Sequence, residues 1–265
     1  MSTDDPNAIL FGDPDVVSEY AARQQLFFGE KAALDRAAPF ITGKRVLDIG
    51  VGAGRTTPYL QDCQPQRYVG VDYAANMVRQ CQERFPGTEF READARSMPE
   101  FADASFDFIL FSWSGIDCVD HEGRLKVLAE IRRLLVKGGV FVFSSANAAH
   151  LPAKPWQRQA LADMGFDGTF RGLFRALKNV TPSLINYLRG QGKQVFTDEY
   201  VIVLDSVHHC RLLRYAITPA CQEAQLLRAG FGSVEAVDRH GQWHACGSPA
   251  LDDSPIYYFC EKTGD

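Results

Sequence analysis

Val46-Leu47-Asp48-Ile49-Gly50-Val51-Gly52-Ala53-Gly54-Arg55-Thr56 is an apolar run that breaks into three glycines set two apart and then resumes in helix-compatible residues. A buried strand reads this way when it enters a turn whose glycines take positive φ or let a ligand approach the backbone. Outward from it, Arg67–Asp72, Phe106–Ser112 and Val140–Ser144 repeat the apolar run and Thr88–Ala93 reads as a further short strand, with helical patterns near 54–62, 74–85 and 120–136. In the last of these, Leu125, Leu128, Ile131 and Leu135 mark one face, and Gly138-Gly139 marks the stop. Strands alternating with helices at this spacing predict an α/β fold, a doubly wound and mostly parallel sheet with helices on both faces. Such sheets bind ligands at the carboxyl ends of their strands. Asp72 ends the second strand, 22 residues beyond Gly50, where a carboxylate can accept two ribose hydroxyl hydrogen bonds.

The flanks divide the chain further. Val16 to about Phe40 predicts one helix, so residues 1–40 form an N-terminal helical element before a core over 41–147. The alternation stops between 147 and 196, a stretch holding Trp156, Phe166, Phe170 and Phe174. Through Thr197 it carries seven Lys/Arg against two Asp/Glu, in a chain whose net charge is −5. An inserted helical cap is expected here, and with the hairpin Glu199–Leu204/Leu212–Thr218 it fills 148–218. Residues 219–265 return to the core sheet, with a helix near 219–229 closed by Gly230 and strands at Val234–His240 and Ile256–Glu261.

Composition narrows the class. With 46% hydrophobic and 23% charged residues, the chain has the material for a substantial core and is not mainly disordered. No uncharged apolar run is long enough to span a bilayer, and an acidic balance argues against a dedicated nucleic-acid binder. Seven widely spaced cysteines without Cys-x-x-Cys suggest neither a disulfide framework nor a metal site. Met1–Pro6 lacks a basic n-region, so no secretion signal and a cytoplasmic location are expected.

Two cofactor classes use a turn of this kind. Dinucleotides need G-x-G-x-x-G, but Arg55 stands where the third glycine of that pattern falls, and Asp48 sits poorly beside a pyrophosphate. Val46–Thr56 instead resembles the first motif of the class I S-adenosylmethionine (SAM)-dependent methyltransferases. Asp72-Tyr73 resembles their acidic second motif, and Glu92–Ala95 the segment that sets Asp94 against the adenine. Phe106–Ser112 and Leu134–Gly139 are similar to their fourth strand and the turn before the fifth. The resemblance covers about 40–147 closely and 219–262 in layout. It implies a Rossmann-like seven-stranded sheet, SAM as cofactor, and a small-molecule acceptor without nucleic acid or membrane. It also implies a cofactor site of Asp48, Gly50, Gly52, Asp72, Tyr73, Met77, Asp94, Ala95, Ser112 and Trp113, with Tyr20 and Arg23 of the leading helix folded over it.

The fold itself fixes no catalytic residue, because a sulfonium methyl is already activated and the protein has mainly to orient the nucleophile. Polar residues after the fifth strand and aromatic residues of the cap are the candidates: Asn147 first, His150 beside it, and Tyr187, with Tyr200 and Tyr215 as further rings for a cation. In-line O- or N-methylation is the leading expectation. The alternatives are cyclisation of SAM's own aminobutyrate arm to azetidine-2-carboxylate with release of methylthioadenosine, and a non-catalytic SAM-binding scaffold.

Overall fold

Helices cover both faces of the central sheet, so its strands carry apolar side chains up and down alternately. Leu47, Ile49, Val69, Val71, Ile109, Phe111, Phe141 and Phe143 enter one core layer. Val46, Tyr68, Phe108, Leu110, Val140 and Val142 enter the other. A computed structural model describes residues 10–150, 169, 171, 182–205 and 209–264.

Strands β1 (Arg45–Ile49), β2 (Arg67–Asp72), β3 (Glu89–Glu92), β4 (Phe106–Phe111) and β5 (Leu135–Asn147) pair in parallel in the order β3-β2-β1-β4-β5. β6 (Val195–Phe196), β7 (Tyr200–Leu204) and β8 (Leu213–Ile217) form an antiparallel ribbon. Beyond β5 the sheet continues antiparallel through β11 (Ile256–Lys262) and β9 (Phe231–Val237), with the two-residue β10 (Trp243–His244) at the edge. The seven strands β3 to β9 are the expected mostly parallel sheet. The hairpin is present, but it is not free-standing. β8 runs parallel to the end of β5, pairing Ala146 with Ala216 and Asn147 with Ile217, so the ribbon is an outgrowth of the sheet.

The helices are α1 (Pro14–Ala22), α2 (Phe28–Ala37), α3 (Thr57–Asp62), α4 (Ala75–Arg84), α5 (His121–Leu134), α6 (182–190) and α7 (Pro219–Arg228). Several expectations are corrected. The single leading helix is two, because the chain is extended at Arg23 and restarts where Glu30 accepts the Phe27 amide at 3.2 Å. Leu128, Ile131 and Leu135 are buried as expected of the α5 face, but its first position is not. Leu125 is 44% exposed, whereas Arg124 is fully buried, its guanidinium bound to Asp117 at 2.8 Å and to Gln225, Ser145 and Gln222. α5 also ends at Leu134. Gly138, at positive φ, lies inside β5, where the register with β4 shifts, and does not cap the helix. The strand expected at Val234–His240 begins three residues earlier.

Residues 151–168, 170 and 172–181 of the expected cap lie outside the described residues, and with them Trp156, Phe166, Phe170 and Phe174. Residues 206–208 of the ribbon turn lie outside as well. No helix among the described residues is long and apolar enough to cross a membrane.

Candidate active site

The carboxyl ends of β1, β2 and β4 open into a cavity of about 320 Å³ beneath α1. Its floor is the glycine turn. The three glycines all have positive φ, but they serve different neighbours. A Cβ on Gly50 would lie 2.6 Å from the Phe111 ring, and one on Gly54 2.5 Å from Phe85. Both make room for core packing, and Gly50 also lines the cavity. A Cβ on Gly52 would meet only Tyr20, at 3.6 Å across the cavity, so Gly52 is the position kept bare for a ligand.

Asp72 ties the turn to the next helix. One carboxylate oxygen accepts the Gly52 amide and the other the Ala74 amide, each at 2.9 Å. Burial pushes its pKa up to about 6, against those two amides, which hold the charge. Tyr73, Met77 and Ala95 line the same cavity, with Ser112 and Trp113 closing it from the end of β4. Trp113 and Ser114 are both left-handed, at φ 50° and 56°. That conformation costs about 1–3 kcal/mol per non-glycine residue. The Ser114 amide bonds to Ser144 Oγ at 2.7 Å, and the Trp113 ring is delivered against Tyr20, centroids 4.6 Å apart. Arg23 stands over that indole at 5.4 Å, so the α1 residues expected over the cofactor do cover the cavity.

Arg55 is a cavity residue missed in the sequence. It is buried, paired with buried Glu30 through two guanidinium–carboxylate bonds (2.7 Å for Nη2), and stacked 5.0 Å from Trp113. Its Nε has no hydrogen-bond partner among the described residues. The only signal was its place after the glycines; Glu30 is 25 residues away and nothing local pairs them.

Other expected residues stand elsewhere. Asp48 is fully buried behind the turn, accepting Thr56 Oγ1 at 2.6 Å and Tyr68 Oη at 3.0 Å, and does not line the cavity. Burial pushes it up to about 7, despite those two donors. Asp94 does not line the cavity, although Ala93 and Ala95 on either side of it do. Burial disfavours its charge, but the Arg96 side chain (2.7 Å) and amide more than offset this and hold its pKa below the usual carboxylate range. Asn147 is turned the other way: its amide donates to Leu251 O and Asp253 O at 3.0 and 3.1 Å, and its oxygen accepts the Ala149 amide. His150 is exposed, and Tyr187 is half-buried on α6; neither lines the cavity. Tyr200 and Tyr215 stack on each other and on His121, away from the cavity.

The cavity suits a nucleoside bearing an amino-acid arm. Asp72 offers acceptors to a ribose, Ala93 and Ala95 a flat apolar flank for a base, Gly52 clearance, and the buried Arg55 Nε an unused donor near the turn. A parallel sheet ordered 3-2-1-4-5 with two antiparallel strands beyond, and this site at its glycine turn, defines a class I SAM-dependent methyltransferase domain. Residues 46–139 match the model of a family described as a methyltransferase domain.

The chain is 32% identical over 164 residues to a fatty-acid O-methyltransferase of Mycolicibacterium smegmatis, covering 60% of this chain and 55% of that one. It is 31% identical over 151 residues to a trans-aconitate 2-methyltransferase of Afipia carboxidovorans, covering 54% and 56%. The aligned region thus spans about half the length of these relatives. The fold matches the CcbJ methyltransferase of Streptomyces caelestis at a TM-score of 0.59 and 19% identity, over 96% of this chain and 98% of that one. It matches a Burkholderia thailandensis 1,6-didemethyltoxoflavin-N1-methyltransferase, solved with its substrate and S-adenosylhomocysteine, at 0.57 and 17%, over 97% and 88%.

Proposed function

We propose that this chain methylates a carboxylic acid with SAM, giving a methyl ester and S-adenosylhomocysteine. The observation that carries the reading is that no histidine lines the cavity among the described residues, while its one carboxyl raised toward neutrality, Asp72, is engaged by the Gly52 and Ala74 amides and assigned to the ribose, which leaves no wall group over to serve an acceptor as base. Burial pushes the Cys118 thiol up to about 12 and the Tyr20 phenol higher still. Asp72 is occupied by two amides, and Glu19 by Arg23. A carboxylate needs no base, since it is already the nucleophile at this pH. Both relatives named above act on a carboxylic acid, which supports the same choice.

SAM bound at the glycine turn supplies an electrophilic methyl group. The chain's own part is positional. Asp72 and the backbone at Gly52 fix the nucleoside, and Arg55, held rigid by Glu30, accepts the carboxylate of the amino-acid arm. Tyr20 and Trp113 exclude water and present aromatic faces to a cation. An acceptor carboxylate held in line with that methyl would take it with no proton to lose, so none of these residues would have to act as a base. Seven free thiols suit a reducing, cytoplasmic setting.

Mass spectrometry of SAM turnover, alone and with a panel of small carboxylic acids, tests the reading. Acid-dependent S-adenosylhomocysteine and a mass gain of one methylene in the acid are expected. Methylthioadenosine formed from SAM alone would favour cyclisation of the aminobutyrate arm instead.

A further inference from the structure

A second cavity, of about 620 Å³, lies beneath the β6–β8 ribbon. Cys118 lines both cavities and is the one residue they share among the described residues. β8 and the residues leading into it form the partition. Successive side chains of a strand point to opposite sides, and Leu212 and Arg214 face the cofactor cavity while Arg211 and Leu213 face the second one.

The charges of the second cavity are unbalanced. Its two carboxylates are committed to helix starts: Asp13 accepts the Asp15 amide of α1, and Asp120 the Gly123 amide of α5. Of its cations, Arg96 is bound to Asp94. Arg189, Lys193 and Arg211 have no carboxylate partner among the described residues. They surround an apolar floor that includes Leu10, Ile202 and Leu204. Like charges gathered around one concavity repel each other and favour an anion there. On the other side of the partition, Arg214 is anchored by buried Asp205 at 2.6 Å and reaches the wall of the cofactor cavity.

We propose that the acceptor is a polycarboxylate spanning both cavities: one carboxylate lies beside Arg214 and is methylated, while the others are held by Arg189, Lys193 and Arg211. This rests on the methyltransferase reading above and narrows its acceptor from a carboxylic acid to one with at least two anionic groups. Binding energy from the distant carboxylates, which do not react, serves to place the one that does.

The test is calorimetry on the full chain loaded with S-adenosylhomocysteine, titrated with trans-aconitate, citrate, succinate and the monocarboxylate hexanoate. At least one of the three polycarboxylates is expected to bind at least tenfold more tightly than hexanoate. The triple variant Arg189→Gln/Lys193→Gln/Arg211→Gln is expected to remove that preference while S-adenosylhomocysteine affinity stays within twofold. Arg214→Gln, on the other side of the partition, is expected to lower kcat more than it raises KM for the preferred acid. Hexanoate binding as tightly as all three polycarboxylates, or a preference that survives the triple variant, overturns the proposal and leaves the methyltransferase reading intact. Failure of S-adenosylhomocysteine to bind overturns both.

Discussion

The glycine turn after β1 and the ribbon beyond β5 both stand at the carboxyl ends of the central strands, yet they make their sites from different material. The turn works through backbone: a bare Gly52, two amides held by Asp72, and Cα positions kept open by glycine. The ribbon works through long side chains: Arg211 and Arg214 on either side of one strand, with Arg189 and Lys193 on the neighbouring segment. A backbone site admits few sequences and serves a ligand that does not change. A side-chain site can be rewritten residue by residue without touching the sheet, which is where specificity for an acceptor is expected to lie.

The largest expected effect is on the backbone side. Gly52→Val places a branched side chain in the space facing Tyr20 and at a φ of 55°. It is predicted to weaken S-adenosylhomocysteine binding more than a hundredfold by calorimetry, with the far-UV circular dichroism of the folded protein retained. Asp72→Ala comes next. It removes a charged acceptor, worth about 1.5–3 kcal/mol per hydrogen bond, and is predicted to cost at least tenfold in the same titration. Affinity within twofold of the wild type in either variant would place the cofactor elsewhere.

A third prediction separates binding from folding at Asp72, whose pKa stands at about 6. Ribose hydroxyls donate to the ionised form, so SAM affinity is predicted to fall about tenfold from pH 7 to pH 5. The unliganded protein moves the other way. A carboxyl raised above its unfolded value holds a proton that the unfolded chain has released, so its effect on stability worsens as pH rises from about 4 to 6. Asp72→Asn should therefore show a flat affinity profile. In urea titrations it should also gain stability relative to the wild type over that pH range. A wild-type affinity independent of pH would detach Asp72 from the ribose.

The smallest effect concerns Asn147, whose amide holds the 251–253 carbonyls. Asn147→Ala strands those buried acceptors, which costs about 1–3 kcal/mol. It is predicted to lower the midpoint of urea unfolding while leaving S-adenosylhomocysteine affinity unchanged. A loss of turnover with unchanged stability would return Asn147 to the reacting centre.

The same contrast explains what the sequence could show. β1, β2 and β4 were legible because both their faces are buried and their runs are mostly apolar, and the turn was legible because glycine leaves a mark at each position it frees. Asp72 was legible from its spacing alone. What escaped depends on partners far along the chain. Arg55 is inside because of Glu30, and Arg124 is inside because of Asp117 and Gln225, while its neighbour Leu125 is exposed. Trp113 was expected in the cavity from the resemblance, although the left-handed backbone that brings it there leaves no mark in residue types. Gly50 lines the cavity as expected, but its second task escaped for the same reason: the ring that needs its missing side chain belongs to Phe111, two strands' worth of sequence away.

The most direct test of the account follows the methyl group. SAM labelled in its methyl group is incubated with the protein and a panel of carboxylic acids that includes a fatty acid and trans-aconitate, and the product is treated with mild base. The account predicts that label enters an acid, that S-adenosylhomocysteine appears in equal amount, and that base releases the label as methanol, as an ester requires. Label held in a base-stable product, or methylthioadenosine formed with no methylated acid, would contradict it.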